Sequence, residues 1–83
     1  MSSTSIELTA VDIISRAIRS KRAVSIIIQP IRYSDDVRVV VSSGGLDVTH
    51  RAPGISSARG YAHAMADVCA AMGAECVERD DTE

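Results

Sequence analysis

Apolar residues recur along this chain with two different periods, and the changes of period divide it into helix, strands and helix. Val11, Ile14 and Ile18, flanked by Ala10 and Ala17, fall at three- and four-residue spacing, which makes the stripe of an amphipathic helix. Asp12, Ser15, Arg16 and Arg19 fall towards the other side. Thr9 with Asp12 three residues later resembles a capping box, with Asp in place of the usual Glu or Gln. The spacing predicts a helix over 9–22. Ahead of it, Ile6-Glu7-Leu8 reads as a short strand or an extended lead-in.

From Val24 the period falls to two. Residues 24–33 are β-branched and strand-like, Ser34-Asp35-Asp36 supplies turn chemistry, and residues 37–42 answer it, so 24–42 reads as a hairpin. Pro30 cannot donate to a ladder, which places its strand at an edge or marks a bulge. Residues 42–45 form a second turn, 46–52 a third strand, and Pro53-Gly54 ends it. A second helix follows, capped by Ser56 or Ser57 and stopped by Gly73. Its stripe runs through Ala58, Tyr61, Ala62, Met65, Val68, Cys69 and Met72. Residues 74–78 add a short final strand.

Both helices must hide an apolar stripe, and the sheet offers the surface for it. The expected fold is α+β, with two helices on one face of a three- or four-stranded, mainly antiparallel sheet in the order αβββα(β). If Ile6–Leu8 is a strand, a ferredoxin-like βαββαβ arrangement competes.

Strand alternation then separates two sheet faces. Val24, Ile26, Ile28, Val37, Val39, Val41, Leu46 and Val48 belong to the core face. The other carries Ser25, Ile27, Gln29, Ile31, Tyr33, Arg38, Val40, Ser42, Asp47, Thr49 and Arg51. Two helices cannot cover both faces. Ile27, Ile31, Tyr33 and Val40, framed by Arg38 and Arg51, therefore form an apolar centre with a polar rim, the composition of an interaction surface.

Composition bounds the rest. Eighty-three residues make one domain, here with an ordered core over about 6–79, a polar N-terminus and an acidic C-terminal tail. No apolar run spans a bilayer, and the start lacks the features of a signal peptide. With two cysteines and no secretory feature, the expected setting is the reducing cytoplasm. The net charge of −2 gives no global pull towards nucleic acid or membrane. It is unevenly spread. Residues 16–22 contain Arg16, Arg19, Lys21 and Arg22 and no acid, whereas the last nine residues contain five acids and Arg79.

Catalytic chemistry finds little footing. His63 has Arg59 and Asp67 as i,i±4 neighbours on its helix, an ordinary surface arrangement. No HExxH, CxxC, GxSxG or phosphate-loop pattern occurs. A zinc set from His50, His63, Cys69 and Cys76 lacks recognisable ligand pairing. No enzyme activity, cofactor or metal is therefore expected, and the cysteines read as buried thiols, with a disulfide left open.

Helix–three strands–helix is also the layout of double-stranded RNA-binding domains. Their lysine-rich entry to the second helix is replaced here by residues 56–60, Ser-Ser-Ala-Arg-Gly, and their first hairpin loop by Tyr33-Ser34-Asp35-Asp36. Two carboxylates at that tip repel phosphate. What remains for nucleic acid is the basic helix end, Arg16, Arg19, Lys21 and Arg22.

A three-strand meander, the turn Arg51-Ala-Pro-Gly54 and the Ala/Met-rich run 62–66 together resemble, at the level of layout over residues 24–73, small phage-encoded inhibitors of the anti-CRISPR type. That resemblance implies a stoichiometric inhibitor that occludes a host defence complex, with Asp35, Asp36 and the acidic tail as mimics of nucleic acid. The expected function is thus a non-catalytic protein-binding module of phage or mobile-element type. Its contact residues are Ile27, Ile31, Tyr33, Arg38, Val40, Arg51, Asp35 and Asp36, and its partner is a protein or a second copy of the chain. The alternative is a small nucleic-acid-binding domain.

Overall fold

The computed structural model describes residues 9–82. Helix α1 (Ala10–Ser20) starts where the capping box places it. The Asp12 N–H donates to Thr9 Oγ1 at 3.2 Å, and the Thr9 N–H donates to Asp12 Oδ2 at 3.0 Å. Lys21 ends the helix in the left-handed region (φ 55), turning the chain towards the sheet. The buried side is set by Ala10, Ile13, Ile14 and Ala17. Val11 and Ile18, expected in the stripe, are 47% and 37% exposed. The stripe is rotated by part of a turn because α1 shares its layer with a second helix.

Strands β1 (Val24–Pro30), β2 (Val37–Ser43) and β3 (Leu46–Ala52) form an antiparallel meander. Helix α2 (Ile55–Met72) then crosses the sheet, and β4 (Cys76–Asp80) pairs parallel to β1. The order is β3-β2-β1-β4, so the expected α+β layout is the observed one, with four strands rather than three. Three strands lie between the helices where the ferredoxin-like alternative has two, and Ile6–Leu8 lies outside the described residues.

Three local expectations are corrected. Pro30 marks neither an edge strand nor a bulge: β1 is central, and Pro30 is its last residue. Val24 donates its N–H to Glu75 at 2.8 Å, whereas Ile31 donates to Asp36, on the β2 side, at 3.3 Å. By alternation the N–H that Pro30 lacks would face β4, so the proline sits where the parallel ladder ends. The cap of α2 is Gly54 rather than Ser56 or Ser57, with no side-chain bond, and Ser56 and Ser57 fall within the first turn. Ile31 and Tyr33 lie beyond β1, in the loop before β2. Gly73 does close α2, with φ 79.

Both helices pack on one face of the sheet. Val24, Ile26, Ile28, Val37, Val39 and Val41 alternate into that interface. Ala58, Ala62 and Cys69 face them from α2, small enough to bring its backbone close to the strands. The result is a slab of 38 × 35 × 19 Å, two layers thick.

Candidate functional site

The open face of the sheet follows from register. Across the middle, Arg79, Ile27, Val40 and Thr49 stand side by side on β4, β1, β2 and β3. On one side of that row lie Val77, Ser25, Ser42 and Asp47, and on the other Gln29, Arg38 and Arg51. Among the described residues no element covers this face.

Its apolar centre is Ile27 and Val40, both half-buried by neighbouring side chains, extended by Val77, which is 56% exposed. Val77 is absent from the expected contact set because the faces are assigned on the first three strands alone, although alternation through residues 76–80 carries the signal. The rim is held in place by polar pairs. Arg38 Nε donates to Gln29 Oε1 at 3.0 Å. Arg51 Nε pairs with Asp36 Oδ2 at 2.6 Å, and Arg79 Nε with Asp81 Oδ1 at 2.7 Å.

The structure brings Ile27, Val40, Arg38 and Arg51 together as expected and sets Tyr33 apart. Tyr33 is 98% exposed at the loop tip with φ 62, its ring 5.9 Å from the Arg32 guanidinium carbon. Ile31 is half-buried at the root of the same loop. Asp35 is exposed beside them, and Asp36 N–H donates to Ser34 Oγ at 3.0 Å.

The basic end of α1 is a second, separate locus. Arg16, Ser20 and Arg22 line a shallow cleft of about 260 Å³ with Ser43, Gly44 and Leu46 from the β2–β3 turn. A larger groove of about 410 Å³ lies between α2 and β4, floored by Ile26, Ile28 and Ala62. The Arg59–Asp80 ion pair, at 3.0 Å, is part of its wall.

The titratable groups suit structure more than chemistry. His50 stacks on Tyr61 with ring centroids 3.9 Å apart, and His63 sits 3.7 Å from Asp67 on the exposed side of α2. Cys69 and Cys76 are free thiols. Burial pushes the Cys69 thiol up to about 11, helped by the neighbouring Cys76, and burial also raises Cys76. A thiol held protonated is a weak nucleophile. Among the described residues no three His, Cys, Asp or Glu converge as a metal site, and no helix is long and apolar enough to cross a membrane.

Comparison with protein-family models, curated proteins and solved structures finds no match.

Proposed function

We propose that this domain is a non-catalytic protein-binding module that docks through the open face of its sheet. The observation that carries the reading is the uncovered Ile27–Val40–Val77 centre among Arg38, Arg51 and Arg79. Among the described residues no element covers this face of the two-layer fold, and of its three arginines Arg51 is paired with Asp36, Arg79 with Asp81, and Arg38 is hydrogen-bonded to Gln29. A surface of that kind, apolar at its centre with its rim charges already paired, favours a partner with an apolar patch and a polar border.

Size refines the reading. Four strands about 4.8 Å apart and about 7 residues long present a projected area of roughly 400 Å². A stable interface takes about 800 Å² from each partner. A standard-sized contact therefore extends beyond the sheet onto the β1–β2 loop, where Tyr33 offers its ring and Asp35 its charge. Within this reading the protein acts stoichiometrically in the cytoplasm, as an inhibitor or accessory factor covering a surface of a host complex. Its footing is the apolar centre more than charge mimicry, because Asp36, Asp80 and Asp81 are each engaged by an arginine and Arg51 and Arg79 are thereby engaged in turn.

Site-specific photocrosslinking tests the proposal. A crosslinker at position 40 is expected to capture a protein that one at position 64, on the exposed side of α2, does not. The Ile27→Asp/Val40→Asp double variant is expected to remain folded and lose that capture. Equal capture from both positions, or by the double variant, would refute docking through this face. Light scattering separates a foreign partner from a second copy of the chain.

A further inference from the structure

Of the nine cations of this chain, Arg32 lies against the Tyr33 ring and the other eight divide into two populations. Arg51, Arg59 and Arg79 are in ion pairs, and Arg38 is tied to Gln29. Among the described residues, Arg16, Arg19, Lys21 and Arg22 make no ion pair, although they are packed into seven consecutive positions. Asp12, one turn before Arg16, feels its charge but keeps its hydrogen bonds with Thr9. Like charges left together without counterions raise each other's energy, so this end of α1 holds an unmatched positive potential.

That potential converges on a shaped place. The cleft between α1 and the β2–β3 turn sets the Arg16 and Arg22 side chains beside the Ser20 and Ser43 side chains. Ser43 Oγ donates to the Ala23 carbonyl at 2.9 Å, which leaves its oxygen fixed at the wall. Gly44, held at φ 59, a conformation that favours glycine, stands beside the Arg22 side chain, whose Cδ lies at ordinary van der Waals distance, 3.4 Å, from where a Cβ would be. Arg22 also lines a neighbouring depression with Lys21, whose other wall carries Glu75. The C-terminal carbonyls of α1 oppose an anion with about half a unit charge, outweighed by four full positive ones.

We infer that the cleft between α1 and the β2–β3 turn binds a phosphate group, gripped by Arg16 and Arg22, of a ligand carrying several phosphates. Two guanidiniums with the Ser20 hydroxyl beside them supply the positive charge and the donors that a tetrahedral oxyanion needs, while Ser43, its proton spent on the Ala23 carbonyl, only shapes the wall. Arg19 and Lys21 lie outside the cleft and call for further phosphates along the ligand, which favours a polyanion over an isolated ion. The site belongs to a different layer from the open sheet face and does not depend on the docking role proposed for that face.

The test is an NMR titration of the isotopically labelled chain at low salt with three probes: pyrophosphate, adenosine triphosphate and a 12-base-pair duplex DNA. Shifts are expected at the Arg16 and Arg22 side-chain Nε–H groups and at the Ser43 and Gly44 amides. Both arginines are exposed, so the Arg16→Gln/Arg22→Gln variant is expected to keep its fold and lose affinity by about ten-fold or more. An Arg38→Gln control on the open face is expected to bind as before. Tightest binding by the triphosphate identifies a nucleotide-sized ligand. Tightest binding by the duplex, with a salt dependence of about 0.9 per phosphate contacted, identifies a nucleic-acid backbone. No shift with any probe overturns the inference, as does binding that the double variant retains or that Arg38→Gln abolishes.

Discussion

Ile26 and Ile27 are neighbours in sequence with opposite surroundings, and exchanging each for threonine tests the face assignment on which the docking proposal stands. Threonine keeps the β-branch, so strand propensity changes little. At Ile26, 0% exposed, the substitution removes buried apolar atoms worth about 0.8 kcal/mol per methylene. It also places a hydroxyl in the core at a further cost of about 1–3 kcal/mol. The expected loss is about 3 kcal/mol. At Ile27 the side chain stands on the open face opposite Val40 and Arg79. There the hydroxyl reaches water, and only a cross-strand contact of about 0.2–1 kcal/mol weakens. For a domain of this size, stability is of order 4–12 kcal/mol, and 1 kcal/mol shifts Tm by about 4–8 °C. Ile26→Thr is then expected to lower Tm by roughly 12–24 °C and Ile27→Thr by less than about 8 °C. With no Trp in the chain, far-UV circular dichroism is the suitable probe, run as urea and thermal unfolding at two protein concentrations. Equal losses at the two positions would mean that Ile27 is as covered as Ile26, and the open-face argument would fall. If the Ile27→Thr loss appears only in the concentrated sample, a second copy of the chain is the cover.

Three further outcomes follow from the α1 cap, the depressed carboxylates and the thiols. Thr9→Ala is expected to cost about 1 kcal/mol by releasing the first turn of α1, read by urea unfolding. Hydrogen bonds from Thr9 hold Asp12 below its ordinary value of 3.8, and those from Thr82 do the same for Asp80. A depressed carboxylate stabilises the fold above its unfolded value and loses that contribution as pH falls through the folded one. Stability is therefore expected to decline below pH 3.8, and a flat acid limb would contradict it. Cys69 has the opposite sign. Its thiol is raised from 9.0 to about 11, so its stabilising contribution is complete below pH 9 and is lost as pH rises towards 11. In the native chain at pH 8 the thiolate fraction is about one in a thousand, and iodoacetamide is expected to modify Cys69 far more slowly than in urea; equal rates would overturn its assigned burial.

The order of elements and the parity of the strands were legible because each rests on local chemistry. Thr9 and Asp12 needed only each other to start α1, and Gly73 needed only its freedom at positive φ to end α2. Alternation from Val24 to Arg38 assigned Ile27 and Arg38 to the open face without knowledge of what lay opposite. The misreadings depended on tertiary neighbours. Pro30 looked like an edge marker because nothing in the hairpin reveals that β4 lies on its N–H side and stops at Asp80. Ile31 and Tyr33 continue the period in sequence, yet the ladder ends before them. Val11, Ile14 and Ile18 keep helical spacing as well as Ala10, Ile13, Ile14 and Ala17 do, and the position of α2 decides between them. The cleft at α1 was half visible: its cations stood out, but Ser43 and Gly44 reach them only through the folded meander.

Net charge is a poor guide to what such a molecule meets. At physiological ionic strength, fields between exposed charges fade over about 8 Å, while the slab is 38 Å across. A ligand approaching the end of α1 therefore feels Arg16, Arg19, Lys21 and Arg22 and, of the C-terminal acids, chiefly Glu75 across the depression that Lys21 and Arg22 line. Those C-terminal acids are in part already engaged: Asp80 by Arg59 and Asp81 by Arg79. The fold thus pairs acids at one end of its charge asymmetry, Asp80 across to α2 and Asp81 with its near neighbour Arg79, and among the described residues leaves the cations at the other end without ion pairs. A chain that needed only solubility would gain nothing from concentrating its unpaired cations beside a cleft, since the same charges dispersed over the surface would repel one another less. The clustering is intelligible if an anion completes it, and the mixed sheet face, with its arginines already braced by Asp36, Gln29 and Asp81, is intelligible if it meets a surface rather than a point charge.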